Sequence, residues 1–498
     1  MAAVTRSGMR AAENAALAAG WTEERLLDLA GKRLGHAIGR FFPQPGSAIG
    51  YLGKGHNAGD TLVALRVLRD EYAWEIAVRS AFTIEDCAPL THKKWSQSGL
   101  SASLEGPPAW RDLKRPVVLL DGLVGIGAQG PLRDPLLKLA AEMEWLRQHA
   151  GARVAAVDLP SGVDPDTGEP TLGAVTADVT FMIGNPKVGL LMSHAANFVG
   201  SLALVPVEVL TVAGQGETEL IGPQEMDFGK APRPYDFHKG MAGRVAVIAG
   251  SEHYSGAAVL AATGALRGGA GLVTLHVPGT AAAVIATKCP PEVIVRGYSS
   301  PRELGDLKCD AAVIGCGIGE LDAKVGDELL DWLEQFSMPA VIDADALNLV
   351  SKSGRIGLCK HQQVLTPHPG EFARLAPDLA ALSPENAARA FAQRTPATLL
   401  LKGARTIIAS AGQPLWCNAT GSPGMATGGQ GDFLAGVIGA LLAIGNPPSE
   451  AAALGAWLCG RASEIALNHR EISVESLTPS DTACHLGAAF GNWRSASR

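Results

Sequence analysis

Gly424-Met425-Ala426-Thr427-Gly428-Gly429-Gln430-Gly431-Asp432 opens directly into Phe433-Leu434-Ala435-Gly436-Val437-Ile438. A Gly-rich loop that feeds an apolar helix leaves unpaired backbone N–H groups aimed at one point. Glycines let a phosphate come close to that backbone, and the helix dipole favours negative charge there. Asp432, in the predicted first turn, is placed to take the proton of a substrate hydroxyl. The same residues also read as an Asp that only steadies its own helix start.

Outward from this loop, short apolar runs recur, each ending in Gly, a polar or a charged residue. They are Val117–Leu120, Arg153–Val157, Val179–Ile183, Arg244–Ile248, Ala311–Ile314, Ala340–Ile342, Val364-Leu365, Thr398–Leu401 and Thr406–Ile408. Helical stretches such as Gly59–Glu71 and Asp432–Leu442 lie between them. Alternation of this kind predicts βαβ units and doubly wound parallel sheets, whose strands are apolar because helices cover both faces. The pattern breaks between Val205 and Lys239, where Pro206, Gly214, Gly216, Gly222, Pro223, Pro232 and Pro234 interrupt it. A domain boundary is expected near residue 217, dividing the chain into 1–217 and 218–498. Ligands of open α/β sheets bind beyond the carboxyl ends of the strands, so the residues after each run are the candidate sites.

In the second half these residues are rich in chemistry. Lys402, at the turn Leu401-Lys402-Gly403-Ala404-Arg405-Thr406, can neutralise phosphates. Thr366-Pro367-His368-Pro369-Gly370-Glu371 is a rigid loop presenting His368, or else a strand terminator with a solvated His. Asp343-Ala344-Asp345-Ala346-Leu347-Asn348 sets two carboxylates beyond a strand, and Asp345 equally serves as a helix cap. Gly315-Cys316-Gly317-Ile318-Gly319 permits close ligand approach. No Gly-x-x-x-x-Gly-Lys-[Ser/Thr] occurs, which excludes a P-loop enzyme.

Together with His238-Lys239-Gly240, these motifs, in this order over most of residues 238–440, resemble the ADP-dependent NAD(P)H-hydrate dehydratase domain. The resemblance implies a ribokinase-like fold and a repair reaction. The 6-hydroxyl of the hydrated nicotinamide ring is phosphorylated by ADP, and phosphate elimination restores the ring, leaving AMP. It implies that Asp432 is the catalytic base and that Ala257, Gly319, His368 and Asp432 contact the hydrated dinucleotide. Lys402, Gly403, Ala404, Arg405, Thr406 and Gly431 would bind the nucleotide, with Mg2+ accompanying it. Where that family often has Thr or Ser, this chain has Gln430, a change that a backbone-lined anion hole tolerates.

The first half carries Gly53-Lys54-Gly55-His56-Asn57-Ala58-Gly59-Asp60-Thr61-Leu62, whose chemistry suits a dinucleotide phosphate at a helix start expected near Gly59. Asp121-Gly122-Leu123-Val124-Gly125-Ile126-Gly127, Asp158-Leu159-Pro160-Ser161-Gly162-Val163-Asp164 and Asn185-Pro186-Lys187-Val188-Gly189 each follow an apolar run. All can converge on one rim, although singly each also reads as an ordinary turn with a capping Asp. Over about residues 9–210, including a helix from Met9 to Gly20, they resemble the Rossmann-like NAD(P)H-hydrate epimerase domain. That resemblance implies interconversion of the R and S hydrates. It places potassium at Asn57, Asp121 and Ser161, all oxygen donors. Substrate contacts fall at His56, Asn57, Ala58, Gly59, Asp60, Gly125, Ile126, Gly127, Ala128, Gln129, Gly130, Pro131 and Asp158. Asp158 is expected to act as acid/base and Lys187 as a nearby charge. Two departures stand out: the family's Asn-Asn-Gly-Gly-Asp-Gly reads His56 to Thr61 here, and its Gly-Leu-x-Arg reads Gly127-Ala128-Gln129-Gly130. Replacing Gly by Ala or Thr can block a positive φ or a close phosphate approach.

Composition narrows the class further. The chain has 498 residues, 47% hydrophobic and 18% charged, ample for two cores and unlike a disordered protein. Its net charge of −7 and lack of a basic face argue against a nucleic-acid partner. The eight cysteines are scattered without a Cys-x-x-Cys pair and read as reduced thiols of a cytoplasmic protein. Neither a signal peptide nor a membrane span is expected, and the chain is expected to work as a homo-oligomer. Two rivals remain open. One is a ribokinase-like kinase that leaves a stable phosphate ester on a small alcohol. The other is an active dehydratase whose first half only binds a dinucleotide.

Overall fold

The computed structural model describes residues 1–103, 111–212, 216–223, 226, 228–229, 232–305, 307–469 and 471–495. The chain divides into two compact units, Met1–Thr218 and Glu219–Arg498. Of the punctuated stretch, Gly214 lies outside the described residues, while Thr218–Leu220 forms a short strand.

In the first unit the strands are β1 (Ser47–Leu52), β2 (Glu75–Ser80), β3 (Ala102–Ser103), β4 (Val117–Gly122), β5 (Arg153–Val157), β6 (Val179–Ile183) and β7 (Ser201–Val205). They form one sheet in the order β3-β2-β1-β4-β5-β6-β7, with every pair parallel. The first six follow the dinucleotide-binding order, whose direction of winding reverses between β1 and β4. Successive residues of β4 show why the runs are apolar. Val118 and Leu120 pack with Leu34, Ile38, Leu62 and Leu65 of the helices Glu23–Phe41 and His56–Tyr72. Val117 and Leu119 pack on the other face with Leu139, Met143 and Leu146 of the helix Leu136–Ala150. Three layers result.

The second unit contains β8 (Thr218–Leu220), β9 (Arg244–Ile248), β10 (Leu272–Pro278), β11 (Val293–Tyr298), β12 (Ala311–Ile314), β13 (Ala340–Ile342), β14 (Gln363–Leu365), β15 (Thr398–Leu401), β16 (Thr406–Ala409) and β17 (Leu415–Asn418). Their order is β11-β10-β9-β12-β13-β14-β15-β16-β17-β8. Pairs from β11 to β15 are parallel, and β16 and β17 turn back antiparallel. Val245 and Val247 of β9 face one core, Ala246 and Ile248 the other, so this sheet too is sandwiched. Register decides what happens at the rim. Ile248 pairs with Ile314, Ile314 with Ile342, and Ile342 with Leu365. Gly315, Asp343 and Thr366 therefore leave the sheet side by side.

The helix Gln430–Ala443 lies on one face and packs against Ser255–Arg267 through glycines. A Cβ on Gly264 would stand 2.2 Å from the Phe433 carbonyl oxygen, and one on Gly436 2.0 Å from that of Ala261. No larger residue permits this approach.

Several boundaries differ from expectation. The first helix spans Arg6–Ala18, started by the Thr5 side chain accepting from the Gly8 N–H. The helix expected near Gly59 begins at His56, with Gly55 as its cap. Ala58 and Thr61 are thus ordinary helical residues, and the Thr61 hydroxyl donates to the Asn57 carbonyl at 2.8 Å. Neither position needs a positive φ, so those two departures from the glycine-rich pattern carry no backbone strain.

Candidate functional site

In the first unit a cavity of about 700 Å³ opens at the carboxyl rim of the sheet. It is lined by His56, Asn57 and Asp60 after β1, by Leu123 to Ala128 after β4, and by Asp158 after β5. The helix Arg6–Ala18 contributes Met9, Arg10, Glu13, Asn14 and Leu17. Ala58 and Gly59 are instead buried in the helix; a Cβ on Gly59 would meet Leu27 Cδ1 at 2.8 Å. Gln129, Gly130 and Pro131 are exposed and lie beyond the lining.

Asp158 has a φ of +69°, a conformation that turns its carboxylate back over β6. Oδ1 accepts from the Ile183 N–H at 2.9 Å and from the Lys187 ammonium. Lys187 is fully buried, and its Nζ also donates to the Ile183 carbonyl at 2.8 Å. Asp60 is pushed well up by burial and by the Asp158 and Glu13 charges, and its Oδ1 is buried without a hydrogen-bond partner among the described residues.

Asn57, Asp121 and Ser161 meet next to this cavity. Ser161 gives Asp121 its backbone N–H (2.7 Å) and its hydroxyl (2.6 Å), while the Leu123 N–H adds a third bond at 3.3 Å. Asn57 Nδ2 donates to the Val124 carbonyl at 3.0 Å, and the Val124 N–H donates to Ser161 Oγ at 3.0 Å. Burial raises Asp121 to about 6, and its hydrogen-bond partners are uncharged. A fully buried carboxylate among amide, hydroxyl and carbonyl oxygens offers the donor type that a hard cation takes.

The second unit brings its residues together around Gly431. Asp343, almost completely buried, accepts from Lys402 Nζ at 2.9 Å, and Glu371 Oε2 lies 3.8 Å from the same ammonium. A Cβ on Gly431 would lie 3.3 Å from Lys402 Nζ and 3.9 Å from Asp343 Oδ2. The start of the helix Gln430–Ala443 therefore faces a Lys–Asp pair. Its cap, Gly429, has a φ of +94°, and a Cβ there would collide with Leu260. Asp432 is raised to about 6, by burial first and then by the Asp343 charge; the Cys316 thiol and Lys402 pull it back.

Cys316 Sγ is 4.0 Å from Asp343 Oδ2, and Cys316, Asp343 and Asp432 together form a cluster with metal-ligating atoms. The thiol is a soft ligand, and Lys402 already occupies Asp343. This set does not fit a Mg2+ cage, which demands oxygen donors.

Other positions find different work. Gln430 is buried and reaches Thr482 Oγ1 at 3.2 Å, so its side chain leaves the loop free. The ring of His368 caps its own helix: Nδ1 accepts from the Gly370 N–H at 3.0 Å. The Gly319 N–H donates to Asp345 at 2.9 Å, and Ala257 sits against Gly317. In the turn after β15, Gly403 and Ala404 are exposed, Thr406 Oγ1 donates to the Gly403 carbonyl at 3.2 Å, and Arg405 points into the core, where burial lowers its pKa. Sequence reasoning missed Ser251, whose buried hydroxyl has no partner among the described residues and lies beside Gly319. It also missed Arg10 and Glu13, both lining the cavity; for Glu13 a helical spacing of four residues from buried Met9 would have put it on the inward face.

A Rossmann-ordered unit followed by a second sandwiched sheet, each with an Asp–Lys pair at its strand ends, defines a fused pair of α/β nucleotide-handling enzymes. A family model described as NAD(P)H-hydrate dehydratase matches residues 245–485, and one described as YjeF-related protein N-terminus matches residues 23–189. The bifunctional NAD(P)H-hydrate repair enzyme Nnr of Gloeobacter violaceus is 36% identical over 502 residues, covering 94% of each chain. That of Moorella thermoacetica is 34% identical, covering 89% of this chain and 88% of the other. A ribokinase-like superfamily protein of Enterococcus faecalis is 27% identical with a TM-score of 0.50, covering 57% of this chain and 98% of that one. The chain belongs to the family of bifunctional NAD(P)H-hydrate repair enzymes. Among the described residues no helix is long and apolar enough to cross a membrane.

Proposed function

We propose that residues 1–217 epimerise the R and S hydrates of NADH and NADPH and that residues 218–498 dehydrate the S form at the expense of ADP. The observation that carries the second activity is Asp432, raised to about 6 at a helix start that faces Lys402 and Asp343. Asp432 takes the proton of the 6-hydroxyl. The oxygen attacks the terminal phosphoryl group of ADP, and AMP leaves. The N–H groups around Gly431 hold the transferred group, while Lys402 balances its charge. Elimination of phosphate with loss of a ring proton then restores the reduced nicotinamide. Mg2+ would be carried by the nucleotide phosphates, where it would offset their charge, because the Cys316–Asp343–Asp432 set does not suit it. Gly403, Ala404 and Thr406 present backbone and hydroxyl groups to the adenylate, and Ala257, Gly319 and His368 border the dinucleotide.

In the first unit, Asp158 with Lys187 supports acid–base work, and the rim from His56 to Asp60 and from Gly125 to Ala128 supports dinucleotide binding. Asn57, Asp121 and Ser161 would hold potassium, which supplies a fixed positive charge near the pyrophosphate. We also propose a cytoplasmic homo-oligomer.

The test uses purified chain, a mixture of R and S hydrated NADH, ADP and Mg2+, followed by near-UV absorbance and AMP release. Recovery of both epimers faster than spontaneous epimerisation is expected. Recovery of the S fraction alone would leave the first unit a binding module, and no nucleotide-dependent recovery would overturn the dehydratase assignment.

A further inference from the structure

Resting on the epimerase reading, we propose that Glu13 is a second catalytic acid–base residue of the first unit's cavity, working with Asp158 at the hydroxylated ring carbon. Glu13 stands on the helix Arg6–Ala18, four residues from buried Met9, on the face that lines the cavity. Asp158 enters the same cavity from the end of β5.

The two carboxyl groups live in different surroundings. Asp158 is ion-paired with fully buried Lys187. Glu13 is governed by burial and by the charges of Asp158, Lys187, His56 and Arg10; no hydrogen bond among the described residues ties it down. Asp60, the remaining carboxyl group on this wall, feels both Glu13 and Asp158, with Asp28 further off. Burial and the Asp158 charge raise the Glu13 pKa, so it holds its proton to higher pH than a surface glutamate. One cavity thus holds an ion-paired carboxylate and a second carboxyl group without such a partner, an arrangement suited to an acid–base division of labour.

The ring carbon bears the hydroxyl and is bonded to the ring nitrogen. Glu13 delivers its proton to the hydroxyl, the C–O bond breaks, water leaves, and the nitrogen lone pair forms a C=N bond. A water then adds to the opposite face, the C=N pair returns to nitrogen, and the proton shed by that water goes to Asp158. One water leaves and one enters; one proton leaves Glu13 and one arrives at Asp158. Epimerisation in the other sense exchanges the two roles.

The experiment is Glu13→Gln in the full chain, with R and S hydrated NADH, ADP and Mg2+. Clearance of the R form is expected to fall by about 10²–10⁴-fold in kcat with KM little changed, the range for a lost general acid or base. Clearance of the S form stays at the wild-type rate. Wild-type R clearance declines as pH rises through the Glu13 titration, the variant loses that limb, and Glu13→Asp recovers part of the rate. R clearance at the wild-type rate, or a rise in KM alone with the pH profile intact, would overturn the assignment while leaving the epimerase reading standing. A wild-type chain that clears only the S form overturns that reading, and the Glu13 role with it.

Discussion

Both units end their central strands in an Asp–Lys pair, but the pairs do different work. In the first, Lys187 is bonded directly to Asp158, the residue placed at the cavity. In the second, Lys402 is bonded to Asp343, and Asp432 stands one group further away, raised to about 6. The first unit thus places an ion-paired carboxylate at its cavity, whereas in the second the paired Asp343 stands beside a third group, Asp432, which burial first and the Asp343 charge second raise against the pull of Lys402. What differs is which strand end supplies the lysine: the loop after β6 folds back onto its neighbour, whereas Lys402 follows β15 and reaches across β14 to Asp343.

The comparison breaks most visibly at Asp432. Asp432→Asn is expected to lower ADP-dependent recovery by about 10²–10⁴-fold, with AMP release falling in parallel and epimerisation unaffected. An unchanged rate would remove Asp432 from the chemistry. Next comes Lys187→Met, which strands Asp158 against a buried apolar side chain. A loss of about 3–5 kcal/mol in unfolding free energy, read by denaturant titration of the first unit's transition, is expected together with loss of R-form clearance. A merely structural Lys187 would cost stability and leave clearance intact at permissive temperature.

Smaller effects sharpen the contrast. Dehydration should rise as pH climbs through about 6, because Asp432 must lose its proton to act as base. Cys316→Ala removes a thiol hydrogen bond that lowers the Asp432 pKa, a bond of about 1 kcal/mol. The midpoint of the kcat/KM profile should therefore move upward, and a midpoint that stays put would show that the thiol does not touch the base. The mildest intervention is exchange of potassium for a bulky organic cation. If the proposed potassium site at Asp121 holds, it should slow R clearance and leave S clearance alone, because the buried carboxylate has only uncharged hydrogen-bond partners of its own; equal R clearance in both salts would remove the ion from the site.

Much of this organisation was legible in one sequence. The runs at β4, β5, β6, β9, β12, β13, β14, β15 and β16 fall within observed strands. Most of these strands are buried on both faces and read as unbroken apolar runs; β1, equally buried, escaped notice because Ser47 and Gly50 interrupt its run. The half-buried strands β10 and β11 escaped notice because polar residues interrupt them, as in Thr274 and His276 of β10. The helix start at His56 was placed late because Asn57 to Asp60 look like loop residues, whereas Gly55 had already capped the turn.

At the sites, chain order gave the loops, and the fold chose among their side chains. Arg405 belongs to a turn that reads as cationic, yet packing takes it inward. His368 reads as a presented ligand, yet the nearest unpaired N–H groups are those of its own helix, and it caps them. Glu13 is one unremarkable acid in a surface-like helix until β5 brings Asp158 into the same cavity.

What the sequence by itself determined is local: apolar runs make strands, glycines make close turns, and an Asp after a strand lies at the functional rim. Those outcomes depend on the conformational and hydrophobic preferences of neighbouring residues. The partners of Asp158 and Asp343, and the raised pKa of Asp432 and of Glu13, were decided only in the tertiary structure. Charge interactions depend on separation and burial through space, and strand register, which pairs Ile314 with Ile342 and sets Gly315 beside Asp343, is what fixes both.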